Sequence, residues 1–272
     1  MSFFRYPGGK NKLKKIIIKK ILPYINNKTQ YREVFFGGGS ICLDMIKDNT
    51  IDNIWINDKD IGIACLWTSL ISHHQILKEK IIHFTPSVDK FYNIRDELLQ
   101  LKTQPSDIID IGFKKLAIHQ LSFSGLGTKS GGPLGGKEQK SAYKIDCRWS
   151  PDYICKKIDK IHNLLNNIKI YKGSCTNLDF EHIINDNNCN SVLYLDPPYY
   201  IKGNELYQYG FTQEDHIRLS NLLYNTKHKW VLSYDDCEEI QELYQWANIQ
   251  QISASYTISG SRQKTELLIW NN

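Results

Sequence analysis

Ser191-Val192-Leu193-Tyr194-Leu195-Asp196-Pro197-Pro198-Tyr199 is an apolar run that ends in a carboxylate, two prolines and an aromatic ring. The run has the length and composition of a buried strand, so Asp196 stands at its carboxyl end, where open α/β sheets collect their ligands. Each proline fixes its own φ, disfavours helix in the residue before it and lacks an N–H. The loop is therefore stiff, and the carbonyls of Asp196 and Pro197 are left to point elsewhere. With Tyr199 offering a flat face, the set suits a planar group carrying an amine: carboxylate and carbonyl accept its two N–H bonds and the ring stacks on it. A strand-terminating turn with an Asp cap is the alternative for these four residues.

Upstream, Tyr31-Arg32-Glu33-Val34-Phe35-Phe36 reads as a strand running into Gly37-Gly38-Gly39-Ser40 and the apolar helix start Ile41-Cys42-Leu43. Strand, glycine turn and helix make the first half of a nucleotide-binding crossover. The glycines permit a tight turn and close backbone approach, and Ser40 is expected to cap the helix. Such turns also join strands to helices without binding anything. Ile54-Trp55-Ile56 reads as the next strand, ending in Asn57-Asp58-Lys59-Asp60. Asp58 follows the glycines by roughly 20 residues, where an acid accepts the hydroxyls of a ribose; a helix N-cap or plain turn residue is its alternative.

The chain opens with Arg5-Tyr6-Pro7-Gly8-Gly9-Lys10, either a close-approach turn beside a ligand or a terminal turn with a surface lysine. Apolar spacing from Leu13 to Leu22 predicts a helix closed by Pro23, with Lys14, Lys15, Lys19 and Lys20 on the other side as a solvated face or a nucleic-acid patch. From Phe84 the pattern changes. Helices are predicted in Phe91 to Leu101 and Phe113 to Phe123. They lead into Gly125 to Lys137, which is too glycine-rich to read as core. That stretch is either a disordered linker or a basic element that orders on DNA, with Gln139, Lys140, Ser141 and Arg148 available to base edges. The α/β pattern resumes with strands at Ile168 to Tyr171, Ser191 to Leu195 and Lys229 to Tyr234. Helices at Phe211 to Leu223 and Cys237 to Trp246 accompany them, and Ile249 to Ile258 and Thr265 to Trp270 form a closing pair. The expected organisation is one α/β domain, 1–83 with 165–272, split by an inserted segment, 84–164.

At 272 residues the chain can bury a full core. No run approaches the length of a membrane span and no apolar stretch of signal-peptide type follows Arg5 and Lys10, so a cytoplasmic protein with no membrane partner is expected. Its seven cysteines are odd in number and scattered, with no zinc spacing, and read as reduced thiols. A net charge of +5 permits a polyanionic partner without requiring one.

The order and wording of these motifs resemble the Dam-type (alpha class) DNA adenine-N6 methyltransferases, which use S-adenosylmethionine (SAM). That family places its SAM motifs first, target recognition in the middle and the catalytic motif afterwards. The resemblance spans nearly the whole chain. It implies a Rossmann-like SAM-dependent methyltransferase sheet, mostly parallel with an antiparallel closing strand, and an inserted, mostly helical target-recognition segment. Asp196, Pro197, Pro198 and Tyr199 match the catalytic loop, whose Asp-initial form is that of the adenine enzymes; cytosine-N4 enzymes more often begin with Ser. Tyr6 and Lys10 match an N-terminal motif bordering the SAM pocket, where the family often has Trp in place of Tyr6. Phe35, Gly37, Gly39 and Ser40 match F-x-G-x-G-S, Asp58 matches the ribose-binding acid, and Asp196 also faces the cofactor. Phe211-Thr212 with Glu214, His216 and Leu219, Ser233 with Asp235, and Lys264 to Leu268 are similar to the elements that follow.

The implied reaction moves a methyl group to N6 of an adenine flipped out of double-stranded DNA, with no metal, in a prokaryotic or phage setting that also admits a cognate restriction endonuclease as partner. Two departures stand out. Gly173-Ser174-Cys175 replaces the acid that many members carry after the third strand to hold the SAM adenine, leaving that contact to backbone or Ser174. His119 to Leu126 only partly resembles the recognition segment of GATC-specific members, so their specificity does not carry over. An RNA adenine-N6 or DNA cytosine-N4 methyltransferase is the alternative within the class, and a non-catalytic SAM-fold DNA-binding partner the alternative outside it. The intact tetrapeptide argues against the last. A dinucleotide dehydrogenase fits poorly, because the third glycine of its fingerprint falls at Cys42.

Overall fold

The computed structural model describes residues 3–4, 10, 13–201, 203–206, 208–254 and 264–271. Seven strands form one sheet: β1 (Gln30–Glu33), β2 (Asn53–Ile56), β3 (Lys169–Ile170), β4 (Ser191–Leu195), β5 (Lys229–Asp235), β6 (Asn248–Ala254) and β7 (Lys264–Trp270). Their order is β3-β2-β1-β4-β5-β7-β6, with β7 antiparallel to both its neighbours and all other pairs parallel. This is the mostly parallel sheet with an antiparallel closing strand that the family resemblance implies. Strand order reverses between β1 and β4, and a crevice opens at such a point.

Eleven α-helices accompany the sheet among the described residues: α1 (Lys14–Ile21), α2 (Ser40–Lys47), α3 (Ile61–Ser72), α4 (His74–His83), α5 (Val88–Gln100), α6 (Ile108–Leu121), α7 (Pro151–Leu165), α8 (Phe180–Ile184), α9 (Gly203–Leu206), α10 (Gln213–Asn225) and α11 (Glu238–Leu243). Alternation along β4 shows how the layers divide. Val192 and Tyr194 join an apolar cluster with α1 to α7, whereas Leu193 and Leu195 join a second cluster with α8, α10 and α11. Both faces are buried, which is why the run is continuously apolar. Leu13 at the N-cap of α1 and Ile17 and Ile21 within it lie inward at helical spacing, and Lys14 turns to Asp44 at 2.5 Å.

Helices of the 84–164 segment pack on helices outside it, α6 on α3 and α7 on α4. Phe91, Leu116 and Ile158 share one apolar cluster with Tyr31 and Trp67. Gly112 permits the closest approach: a Cβ there would lie 2.8 Å from the carbonyl oxygen of Cys65 and from Leu66 Cα. Gly112→Ala is therefore expected to destabilise the fold by about 1–3 kcal/mol through overpacking. An unchanged urea midpoint would show that α3 and α6 part without cost.

The glycine-rich stretch departs from its reading as non-core. Gly125, Gly127, Thr128, Ser130 and Leu134 are buried. Phe123 N–H donates to Gly132 O at 3.0 Å, Leu134 N–H to Leu121 O at 2.8 Å, and Gly127 N–H to Ser122 Oγ at 3.0 Å. His119 Nδ1 pairs with Gly125 O at 2.9 Å. Backbone pairing and the side chains of Ser122 and His119 together satisfy the polar groups of this buried turn. All seven cysteines are free thiols. No helix of the described residues is long and apolar enough to cross a membrane.

Candidate active site

A pocket of about 1200 Å³, open solvent at its mouth included, lies over the carboxyl ends of β1, β2 and β4. Its floor is the glycine turn. β1 ends at Glu33, three residues short of the predicted strand, because Phe36 turns to donate its N–H to Asn57 O at 2.8 Å. Gly39, at φ +64°, is the N-cap of α2, and a Cβ there would lie 2.8 Å from the Phe36 ring. Ser40 is consequently the first helical residue and makes no capping hydrogen bond, which corrects its expected role as cap; it remains on the pocket wall. The left-handed turn is cheap only for glycine, so the cap passes to the residue before.

Asp58 links that turn to β2. Its Oδ2 accepts from Gly37 N–H at 2.7 Å and its Oδ1 from Asp60 N–H at 2.9 Å, while the side chain faces the pocket. Asp60, not Asp58, caps α3, accepting from Ile63 N–H at 3.1 Å and pairing with buried Lys115 at 2.5 Å. Glu33 is a wall residue that the sequence reading did not single out. Its Oε2 accepts from Tyr31 OH at 2.8 Å and Cys42 N–H at 3.1 Å. Burial, reinforced by the charge of Asp196, lifts the Glu33 carboxyl to about 8; burial and Asp60 lift Asp58 to about 7. Both values lie above those of the unfolded chain, so the stability these neutral carboxyls contribute is complete at low pH and lost as pH rises to about 8. The melting temperature of the unliganded protein is expected to fall between about pH 5 and 8, and Glu33→Gln to remove part of that slope. Superimposable profiles for variant and wild type would contradict it.

Asp196 lies across the crevice at the tip of β4, its side chain 21% exposed. Lys10 Nζ is 2.7 Å from its Oδ1, and Ser233 Oγ donates to the same oxygen at 3.0 Å. Tyr194 OH is 2.9 Å from Ser233 Oγ. Among the described residues both donors engage Oδ1, which leaves Oδ2 to accept from a ligand. Burial raises the Asp196 carboxyl above its ordinary range, with Lys10 opposing and Glu266 adding to the rise. The loop beyond is held by Asp235, whose two oxygens accept from Tyr200 N–H at 2.9 Å and Ile201 N–H at 2.8 Å. Tyr199 OH donates to Glu266 at 2.6 Å, and Lys10 Nζ sits 4.7 Å from the centroid of the Tyr199 ring.

The far wall corrects the expectation for Gly173-Ser174-Cys175. That tripeptide is tied to α3, with Cys175 N–H donating to Thr68 Oγ1 at 3.2 Å, and it does not line the pocket. β3 is only two residues long, and the chain continues beside β2 to pair Thr176 with Asn57. The residues that reach the pocket are thus Leu178, Asp179 and Phe180. Asp179 caps α8 and forms a two-point pair with Arg218 at 3.0 and 3.2 Å. Phe35, Phe180 and Phe211 form an aromatic wall with centroids 5.4–6.1 Å apart. The sequence signal for this position is an Asp followed by Phe180 and the apolar Ile183-Ile184, a capped helix start. Lys10, Phe35, Gly37, Gly39, Ser40, Asp58, Asp196 and Pro198 are together on the pocket wall; Pro197 and Tyr199, expected with them, do not line it, the Tyr199 ring packing instead against the second apolar cluster, and Tyr6 lies outside the described residues.

A glycine floor, a strand-end acid, an aromatic wall and Asp196 thus meet where the strand order reverses, the place where open α/β sheets take their ligands. The profile of the D12 class N6 adenine-specific DNA methyltransferases matches residues 6–258, and the chain belongs to that family. It is 25% identical over 296 aligned residues to the type II methyltransferase M1.LlaDCHI of Lactococcus lactis subsp. cremoris, covering 99% of this chain and 94% of that protein. It is 22% identical over 248 residues to the type II methyltransferase M.CviBI of Paramecium bursaria Chlorella virus NC1A, covering 88% and 85%. The activity is SAM-dependent methylation of adenine in DNA, which sets aside the RNA, cytosine-N4 and non-catalytic alternatives.

Proposed function

We propose that this enzyme acts on an adenine flipped out of duplex DNA, with Asp196 and the Pro197 carbonyl holding its N6 hydrogens and Tyr199 stacking on its ring. The observation that carries this reading is Asp196 itself: Lys10 and Ser233 engage one carboxylate oxygen, and the residue lines the same pocket that the glycine turn floors. An exocyclic amine is a poor nucleophile while its lone pair is delocalised into the ring. Two acceptors fixed on its hydrogens favour a pyramidal nitrogen and direct the lone pair into the pocket. The pocket suits SAM: buried carboxyls Glu33 and Asp58 line it with Asp196, matching a ligand that carries an ammonium, a sulfonium and ribose hydroxyls, and the aromatic wall suits a purine. When bound, SAM supplies an electrophilic methyl group. Asp58 holds the ribose, Gly37 and Gly39 bring backbone close, Lys10 borders the methionine end, and Phe180 with Asp179 receives the adenine.

The 84–164 segment is the target-recognition unit. Thr128 Oγ1 donates to Gln208 Oε1 at 2.9 Å, and Gln208 Nε2 donates to Leu98 O at 2.9 Å, so this segment reaches the pocket rim at residue 208. Base flipping costs roughly a few kcal/mol, which contacts of this unit to the duplex would offset. The names of the relatives, type II methyltransferases of a bacterium and a chlorella virus, favour a restriction-linked role in a microbial or viral setting. Expression in a methylation-free bacterium, followed by base mapping of its DNA, tests the reading. N6-methyladenine in one short context is the expected result; methylated RNA with unmarked DNA would overturn it.

A further inference from the structure

The closing strand β7 runs against the parallel sheet and thereby carries Glu266 to the β4-loop end of β5, opposite Asp235 in the β5–β7 register and within reach of Tyr199 and Lys10. Glu266 is 8% exposed. Its Oε2 accepts from Tyr199 OH at 2.6 Å and lies 3.7 Å from Lys10 Nζ, the ammonium already shared with Asp196. One rung of the sheet thus grips the catalytic loop twice, by its backbone N–H groups at Asp235 and by its aromatic side chain at Glu266. The Tyr199 ring also lies tilted against Tyr234, with centroids 6.1 Å apart, and such a contact leaves a tyrosine free to rock about its ring axis. A charge-assisted bond at the phenol removes that freedom and fixes the plane of the ring.

We propose that Glu266 is a positioning residue that aims the face of Tyr199 at the target adenine, acting through the phenol and not on the reacting atoms. This rests on the reading of Tyr199 as the base-stacking ring. Strand pairing of β7 is a matter of backbone bonds, so a carboxylate with little access to solvent is not needed for the sheet itself. Its acceptor is used on the loop.

The test uses the full chain, a duplex containing the mapped site, and 2-aminopurine at the target position as a fluorescent reporter of stacking. Glu266→Ala is expected to lower kcat roughly 10–100-fold, the scale of a small misplacement at a reacting centre, with SAM affinity by calorimetry unchanged. The flipped 2-aminopurine should fluoresce more brightly, because a ring no longer held flat quenches it less. Glu266→Gln keeps an acceptor and should recover most of the rate. Tyr199→Phe combined with Glu266→Ala should be no worse than Glu266→Ala alone, since both remove one bond. If Tyr199→Ala loses activity while Glu266→Ala matches wild type in rate and fluorescence, the positioning role is wrong and the stacking reading stands. If Tyr199→Ala itself matches wild type, both fall. Losses that multiply in the double variant, with weakened SAM binding and a lowered melting temperature, would make Glu266 a structural residue and overturn the inference.

Discussion

Asp196→Ala is expected to lower the rate of methyl transfer by on the order of 10³-fold, the scale seen when a preorganised polar group is removed from a reacting centre. Two effects combine. The amine loses the acceptor that holds it, and Lys10 and Ser233 lose the carboxylate they converge on. Lys10 then has Glu266 as a carboxylate neighbour, at 3.7 Å, and is drawn towards Tyr199 and away from the pocket. Single-turnover methylation of the mapped duplex, with SAM binding measured separately, separates chemistry from cofactor affinity. A variant with wild-type single-turnover rate would remove Asp196 from the mechanism.

Asp58→Ala should weaken SAM binding roughly 10–100-fold, the loss of one or two hydrogen bonds to a charged acceptor. Its carboxylate accepts from the N–H groups of Gly37 and Asp60, and in the proposed function it holds the ribose as well. Asn is no remedy, because its amide nitrogen would meet one of those N–H donors. The pH dependence has a defined sign. Burial and Asp60 raise the Asp58 carboxyl to about 7, and only the ionised form accepts two hydroxyl bonds as well as the backbone pair. SAM affinity should therefore strengthen as pH rises through about 7 and level off above it. Calorimetry in buffers of different ionisation enthalpy would also register proton release on binding. Affinity that is flat between pH 6 and 8, or an Asp58→Ala variant that binds as tightly as wild type, would move the ribose contact elsewhere.

The relation of sequence to site divides by range. That Gly37 to Ser40, Asp58, Asp196 and Pro198 meet at one sheet edge is legible because each is written in local chemistry: glycine beside a strand end, proline after a carboxylate, an acid at a strand tip. The Ser40 cap was misplaced by one residue, since the left-handed step falls on Gly39 and helix boundaries are decided by that backbone conformation. That Leu178 to Phe180, and not Gly173 to Cys175, reach the pocket is not legible in the sequence, because how far the chain runs beside β2 is set by pairing with that strand and not by its own residues.

What the sequence by itself determined is the set of strands with both faces buried, the stiff loop after β4 and the glycine floor, because backbone φ limits and side-chain alternation act over a few residues. Only the tertiary structure decided which distant groups complete them. Asn57 bonds Leu178 across 121 residues, and Tyr199 bonds Glu266 across 67. Both contacts depend on strand order and register, and an antiparallel β7 is what turns its first residues, not its last, towards the catalytic edge.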